Sequence, residues 1–131
     1  MSSLIAACGQ ARVRREWPGW TAGAWDDGSD ELAWSGLRTD GARYLVTRSC
    51  ESLLTAIRAD DAEFRYRPEQ ADRDPLMERL RGQFPSWAIA ELPSGTILAR
   101  RWAQSRRDDG IRGMRRQLKG AGRAERALAR R

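Results

Sequence analysis

The sequence predicts an α+β fold, antiparallel sheet packed by helices. Three observations carry that expectation. Short runs rich in β-formers alternate with stretches of helical period, Gly- and Asp-rich turns separate neighbouring strands, and one aromatic-Pro-x-Trp step occurs twice. The chain has 131 residues, the size of one domain. Hydrophobic residues make up 40%, but alanine inflates that figure, so six tryptophans must supply much of the core mass.

The elements follow in order. Ser2 to Arg15 reads as a helix, capped by Ser2 or Ser3, with Leu4, Ile5, Cys8 and Ala11 at near-helical spacing. Pro18 and Gly19 stop it, because proline lacks an N–H and biases the preceding residue away from helix. Trp20 to Trp25 and Glu31 to Arg38 read as strands, parted by a turn over Asp26-Asp27-Gly28-Ser29-Asp30. After Thr39-Asp40-Gly41, the stretch Arg43 to Arg48 has the strongest β-propensity. Ser49 then caps a helix over Cys50 to Ala59, with Leu53, Leu54 and Ile57 facing inward.

Asp60 to Asp74 is polar, with an extra strand expected around Phe64-Arg65-Tyr66 and a linker from Pro68. Then the pattern restarts. Asp74 caps, Pro75 takes the first helical position, and Leu76, Leu80 and Phe84 follow at steps of four. Pro85 ends that helix, Trp87 to Leu92 reads as a strand, Pro93-Ser94-Gly95 as a turn, and Thr96 to Trp102 as a returning strand.

Arg15-Glu16-Trp17-Pro18-Gly19-Trp20-Thr21 and Gly82-Gln83-Phe84-Pro85-Ser86-Trp87-Ala88 align at an offset of 67 residues, with Val13 and Leu80 four positions before each aromatic. Each step is preceded by a helix and followed by a hairpin and a further helix, so two related helix-hairpin-helix half-repeats are expected over residues 1–60 and 74–105. Neither offers enough apolar area alone, and the two should pack together. Trp20, Trp25, Trp34 and Trp87 are expected in the core. The run Arg14-Arg15-Glu16-Trp17-Pro18-Gly19-Trp20 and its echo Gln83-Phe84-Pro85-Ser86-Trp87 resemble small uncharacterised actinobacterial proteins. That resemblance covers about half the chain. It implies a helix, the aromatic-Pro-x-Trp step, a short antiparallel sheet and a closing helix, and no known activity.

Charge is uneven. Ala99 to Arg131 holds 12 of the 24 basic and 3 of the 18 acidic residues, a net +9, leaving 12 and 15, a net −3, before it. The sequence thus divides into a compact body over 1–105 and a basic C-terminal helix or tail over 106–131. At 100° per residue, Ile111, Met114, Leu118, Ala121 and Leu128 share an apolar stripe interrupted by Glu125. Arg112, Arg115, Arg116, Lys119, Arg123, Arg126 and Arg130 share another face. Gly110, Gly113, Gly120 and Gly122 weaken such a helix.

The chain contains no histidine, the commonest general base and metal ligand. Cys8 and Cys50 are too few and too far apart for a zinc site, and are expected as reduced thiols. No phosphate loop, dinucleotide fingerprint or nucleophile elbow occurs. The acidic pairs Asp26-Asp27, Asp60-Asp61 and Asp108-Asp109 read as solvated loop or cap residues. No stretch approaches the roughly 20 apolar residues that span a bilayer. The expectation is a cytoplasmic, non-enzymatic binding protein without metal or cofactor, its basic helix contacting nucleic-acid phosphates. An acidic protein partner is the other expected anion. The alternative is a protein-interaction module that presents Ile111, Met114 and Leu118 to a partner or to a second copy.

Overall fold

The computed structural model describes residues 2–28, 30–68 and 74–129. Ten elements follow one another: α1 (Ser2–Glu16), β1 (Trp20–Trp25), β2 (Ala33–Arg38), β3 (Tyr44–Thr47), α2 (Cys50–Phe64), α3 (Pro75–Gln83), β4 (Ala88–Glu91), β5 (Ile97–Arg101), β6 (Gln104–Asp108) and α4 (Ile111–Ala129). The fold is α+β, with two antiparallel three-stranded meanders in the orders β1-β2-β3 and β4-β5-β6. The order helix, three strands, helix therefore runs through the chain twice.

Alternation along the strands sorts side chains between two layers. In β1, Trp20, Ala22 and Ala24 join Trp34, Val13, Leu53 and Ile57 beneath α1 and α2. In the second sheet, Ile89, Ile97 and Ala99 join Met77, Leu80, Met114 and Leu118 beneath α3 and α4. The opposite faces meet each other through Leu37, Ala88, Ala90 and Leu98. The result is four layers: helices, sheet, sheet, helices.

Small residues let the two sheets approach. A Cβ on Gly23 would lie 2.5 Å from the backbone carbon of Trp87 and 2.7 Å from the nitrogen of Ala88. The Ala24 N–H donates to the Pro85 carbonyl at 2.9 Å, tying the free edge of β1 to the entry of β4. Backbone atoms cannot swing aside, so Gly23→Ala is expected to force the sheets apart and cost about 1–3 kcal/mol. Urea denaturation followed by tryptophan fluorescence measures it, and an unchanged midpoint would contradict this packing.

At the aromatic-Pro-x-Trp step the two halves match residue by residue. The Trp17 N–H donates to Val13 O at 2.7 Å and the Trp20 N–H to Trp17 O at 2.9 Å. The Phe84 N–H donates to Leu80 O at 3.2 Å and the Trp87 N–H to Phe84 O at 3.1 Å, each 67 residues on. Val13 and Leu80 are fully buried, and Trp20 and Trp87 nearly so. In the second helix of each half the offset becomes 61, placing Leu53 with Met114 and Ile57 with Leu118, all buried.

Several expectations need correction. The apolar face of α1 is turned outward: Leu4 is 67% and Ile5 59% exposed, while Ala6, Gly9, Gln10 and Val13 are buried. Small residues line that contact because the Trp34 ring occupies the space a Gly9 side chain would take. Phe64-Arg65-Tyr66 is not a strand. Phe64 ends α2, and Arg65, at a left-handed φ of 47°, caps it through an N–H to Asp61 O. Leu76 is exposed, and Met77 with Leu80 faces the core. In the second half the expected pair of strands is three, with β6 pairing Gln104 to Arg101 and Asp108 to Ile97.

The boundary at 105/106 consequently cuts through β6, and α4 belongs to the core of the second half. The expected linker lies partly in 69–73, outside the described residues. Trp25, expected in the core, is half-buried and meets the edge of Trp102 at 5.5 Å between centroids. Cys8 and Cys50 are both free. Among the described residues, no helix is long and apolar enough to cross a membrane.

Candidate nucleic-acid interface

α4 begins where Asp108 turns the chain off β6. Its carboxylate accepts from the Gly110 N–H at 3.0 Å and from the Gln117 side-chain amide at 3.0 Å. These bonds, the Gly110 N–H first, hold the Asp108 carboxyl below its ordinary range. The carboxylate rests where a Gly113 side chain would be, so this glycine serves the docking of α4 despite its low helix propensity.

The apolar stripe then goes down onto the second sheet. Met114 and Leu118 are buried beside Met77, Leu80, Trp87 and Ile97, with Ile111 and Ala121 packed at the margin. The stripe proposed from the sequence for a partner or a second copy is thus covered by the chain itself. It cannot be offered without pulling α4 away. Glu125, which interrupts the stripe, pairs with Arg101.

The opposite face carries the cations. Arg112, Arg116, Lys119, Arg123 and Arg126 are exposed, and among the described residues none has a carboxylate oxygen within ion-pair distance. Arg115 is half-buried and donates through Nε to Gln83 Oε1 at 2.9 Å, so it is partly spent on docking α4 to α3. Arg130 lies outside the described residues.

Elsewhere some arginines are engaged, while Arg15, Arg58, Arg65, Arg79 and Arg107 are exposed without a carboxylate partner among the described residues. Arg12 pairs with Glu16 and Glu51, Arg38 with Asp40, Arg43 with Asp60 and Arg48 with Asp27. Asp60, expected to be solvated, is buried and bonded at 2.6 Å to Arg43 Nε. Arg38, at 4.0 Å from the other oxygen, completes the charge balance around that carboxylate. Asp26 instead accepts from the Gly28 N–H, as a turn residue does. Asp109 is exposed.

Sequence reasoning missed Arg101. It is only 4% exposed, lying 4.5 Å from the Trp87 ring centroid and 5.1 Å from that of Trp25. Its guanidinium donates to Gln104 Oε1 at 3.0 Å and to Glu125. Burial first, and the nearby charge of Arg106 second, lower its pKa. The alternation of β5 carried a signal, because Arg101 shares the inner face with Ile97 and Ala99. A terminal arginine on a strand nevertheless reads as a solvated end.

Beside Arg101 a groove of about 480 Å³ opens between the end of α3 and α4, walled by Phe84, Leu118, Lys119, Arg123 and Arg126. Among the described residues no group of His, Cys, Asp or Glu side chains is placed to hold a metal ion. No family model matches the chain, and neither does any curated protein or solved structure at a meaningful level of similarity.

Proposed function

We propose that this chain is a non-enzymatic binding protein whose α4 lays its cationic face along nucleic-acid phosphates. The observation that carries this reading is the clustering of unpaired cations on one helix face. Arg15, Arg58, Arg65, Arg79 and Arg107 are exposed without a carboxylate partner among the described residues too, but they are spread over several elements. Arg112, Arg116, Lys119, Arg123 and Arg126 instead face solvent together along α4 without such partners among the described residues. Like charges along one face repel, and an external polyanion relieves that repulsion.

The helix supports a geometric argument too. Nineteen residues at 1.5 Å each make a rod of about 28 Å, rigidly seated by Met114 and Leu118. Exposed cations recur along it every three or four residues. Such a rod neutralises backbone charge without contacting base edges, so binding should depend on salt far more than on sequence.

The test is a titration of labelled DNA and RNA fragments across a salt series. On duplex DNA, five phosphate contacts give a log–log slope near −4.5, a loss of about 500-fold between 50 and 200 mM salt. No complex at about 50 mM salt, or a slope near zero, would overturn the proposal.

A further inference from the structure

The groove beside α4 has a counterpart in the first half that the chain lines with an aromatic ring. By the 67-residue offset, Gln83, Phe84, Ser86 and Trp87 correspond to Glu16, Trp17, Gly19 and Trp20, and each set lines a depression in its own half. In the first half α2 ends at Arg65, and the left-handed turn there throws Tyr66 back across Gly19. Two Tyr66 ring carbons lie 2.9 Å from where a Gly19 Cβ would stand. Its hydroxyl shares a 2.8 Å hydrogen bond with Thr39, and the Arg38 guanidinium stacks over the ring at 4.6 Å. A flat ring with a cation above it thus forms one wall of that depression, which stays open at about 350 Å³.

The second half lacks the ring. By the 61-residue offset that pairs Leu53 with Met114, Arg65 corresponds to Arg126 and Tyr66 to Ala127, both inside a helix that does not stop. Half-buried Phe84 therefore remains as an apolar floor over buried Leu118, and Lys119, Arg123 and Arg126 stand beside it as net positive charge. Glu125, the one carboxylate in the wall among the described residues, is held by Arg101. An apolar floor next to three cations complements an aromatic ring that carries negative charge.

We infer that this groove takes one unpaired base of a single-stranded nucleic acid, its ring against Phe84 and its flanking phosphates on Lys119, Arg123 and Arg126. This rests on the phosphate-binding reading of α4 and adds a preference for single strands over duplex. A paired base cannot leave its stack without cost, whereas an unpaired one gains by stacking on an aromatic side chain.

The test fills the groove without removing a cation. Gly122 lines it, and the nearest atom to an added Cβ is the mobile end of Arg126 at 3.4 Å. Leucine there also raises helix propensity, so Gly122→Leu should leave the fold intact, which a thermal melt verifies. The readout is fluorescence anisotropy with a single-stranded oligonucleotide and a duplex of equal length at about 50 mM salt. The natural chain should prefer the single strand, and Gly122→Leu should weaken that complex about ten-fold while leaving the duplex complex unchanged. Equal binding of both forms, unaffected by Gly122→Leu, overturns the groove but not the phosphate track. No binding of either form overturns both.

Discussion

Ending the chain at Ser105 is expected to unfold its second half rather than release a trimmed, stable body. The cut falls inside β6, leaving only Gln104 and Ser105 to pair with β5. It also removes Met114 and Leu118, both buried against Met77, Leu80, Trp87 and Ile97. Burying a side chain of that size contributes about 1.5–3 kcal/mol, and exposing its partners adds a similar loss on the facing side. The total, on the order of 5 kcal/mol or more, is comparable to the whole stability of a domain, about 5–15 kcal/mol. The first half would suffer as well, since Ala88, Ala90 and Leu98 pack on Leu37. Near-UV circular dichroism with a thermal melt reads the outcome. A cooperative transition retained by residues 1–105 would mean that α4 is an appendage after all. Leu118→Ala provides a milder form of the same test, with an expected loss of about 2–5 kcal/mol.

Why the sequence suggested a separable tail is instructive. β6 is Gln104-Ser105-Arg106-Arg107-Asp108, without one β-branched or aromatic residue, and only its pairing with β5 makes it a strand. α1 misled for the opposite reason. Leu4 and Ile5 look like a core face, yet the helix packs through Ala6, Gly9, Gln10 and Val13 because Trp34 needs the room. Elements bounded by strong local chemistry were legible: β1 between Pro18-Gly19 and Asp26, and the helices capped by Ser49 and Asp74. In α4 the 3.6-residue period separated buried Met114 and Leu118 from the exposed cations, since period does not depend on what lies underneath. Arg101 and the groove could not be read that way. They arise where β5, α3 and α4 converge, and no local pattern encodes that meeting.

Replacing Arg112, Arg116, Lys119 and Arg123 together by glutamine should abolish most nucleic-acid binding while leaving the fold unchanged. The fold should hold because all four side chains are exposed, with no carboxylate partner among the described residues. Glutamine keeps helix propensity close to that of arginine and lysine. Removing four like charges from one face relieves repulsion, so the melting temperature should stay level or rise slightly. Binding should respond differently. If five contacts shrink to one, at Arg126, the log–log salt slope falls from about −4.5 to about −0.9. The loss between 50 and 200 mM salt then shrinks from about 500-fold to about 3.5-fold, and the low-salt complex itself becomes far weaker. Arg12, Arg43 and Arg48, exposed in part but paired with Glu51, Asp60 and Asp27, form the matched control. Their replacement should perturb stability and leave the slope alone. Were the slope to follow those paired arginines, or to survive glutamine at all four α4 positions, phosphates would be docking on another face.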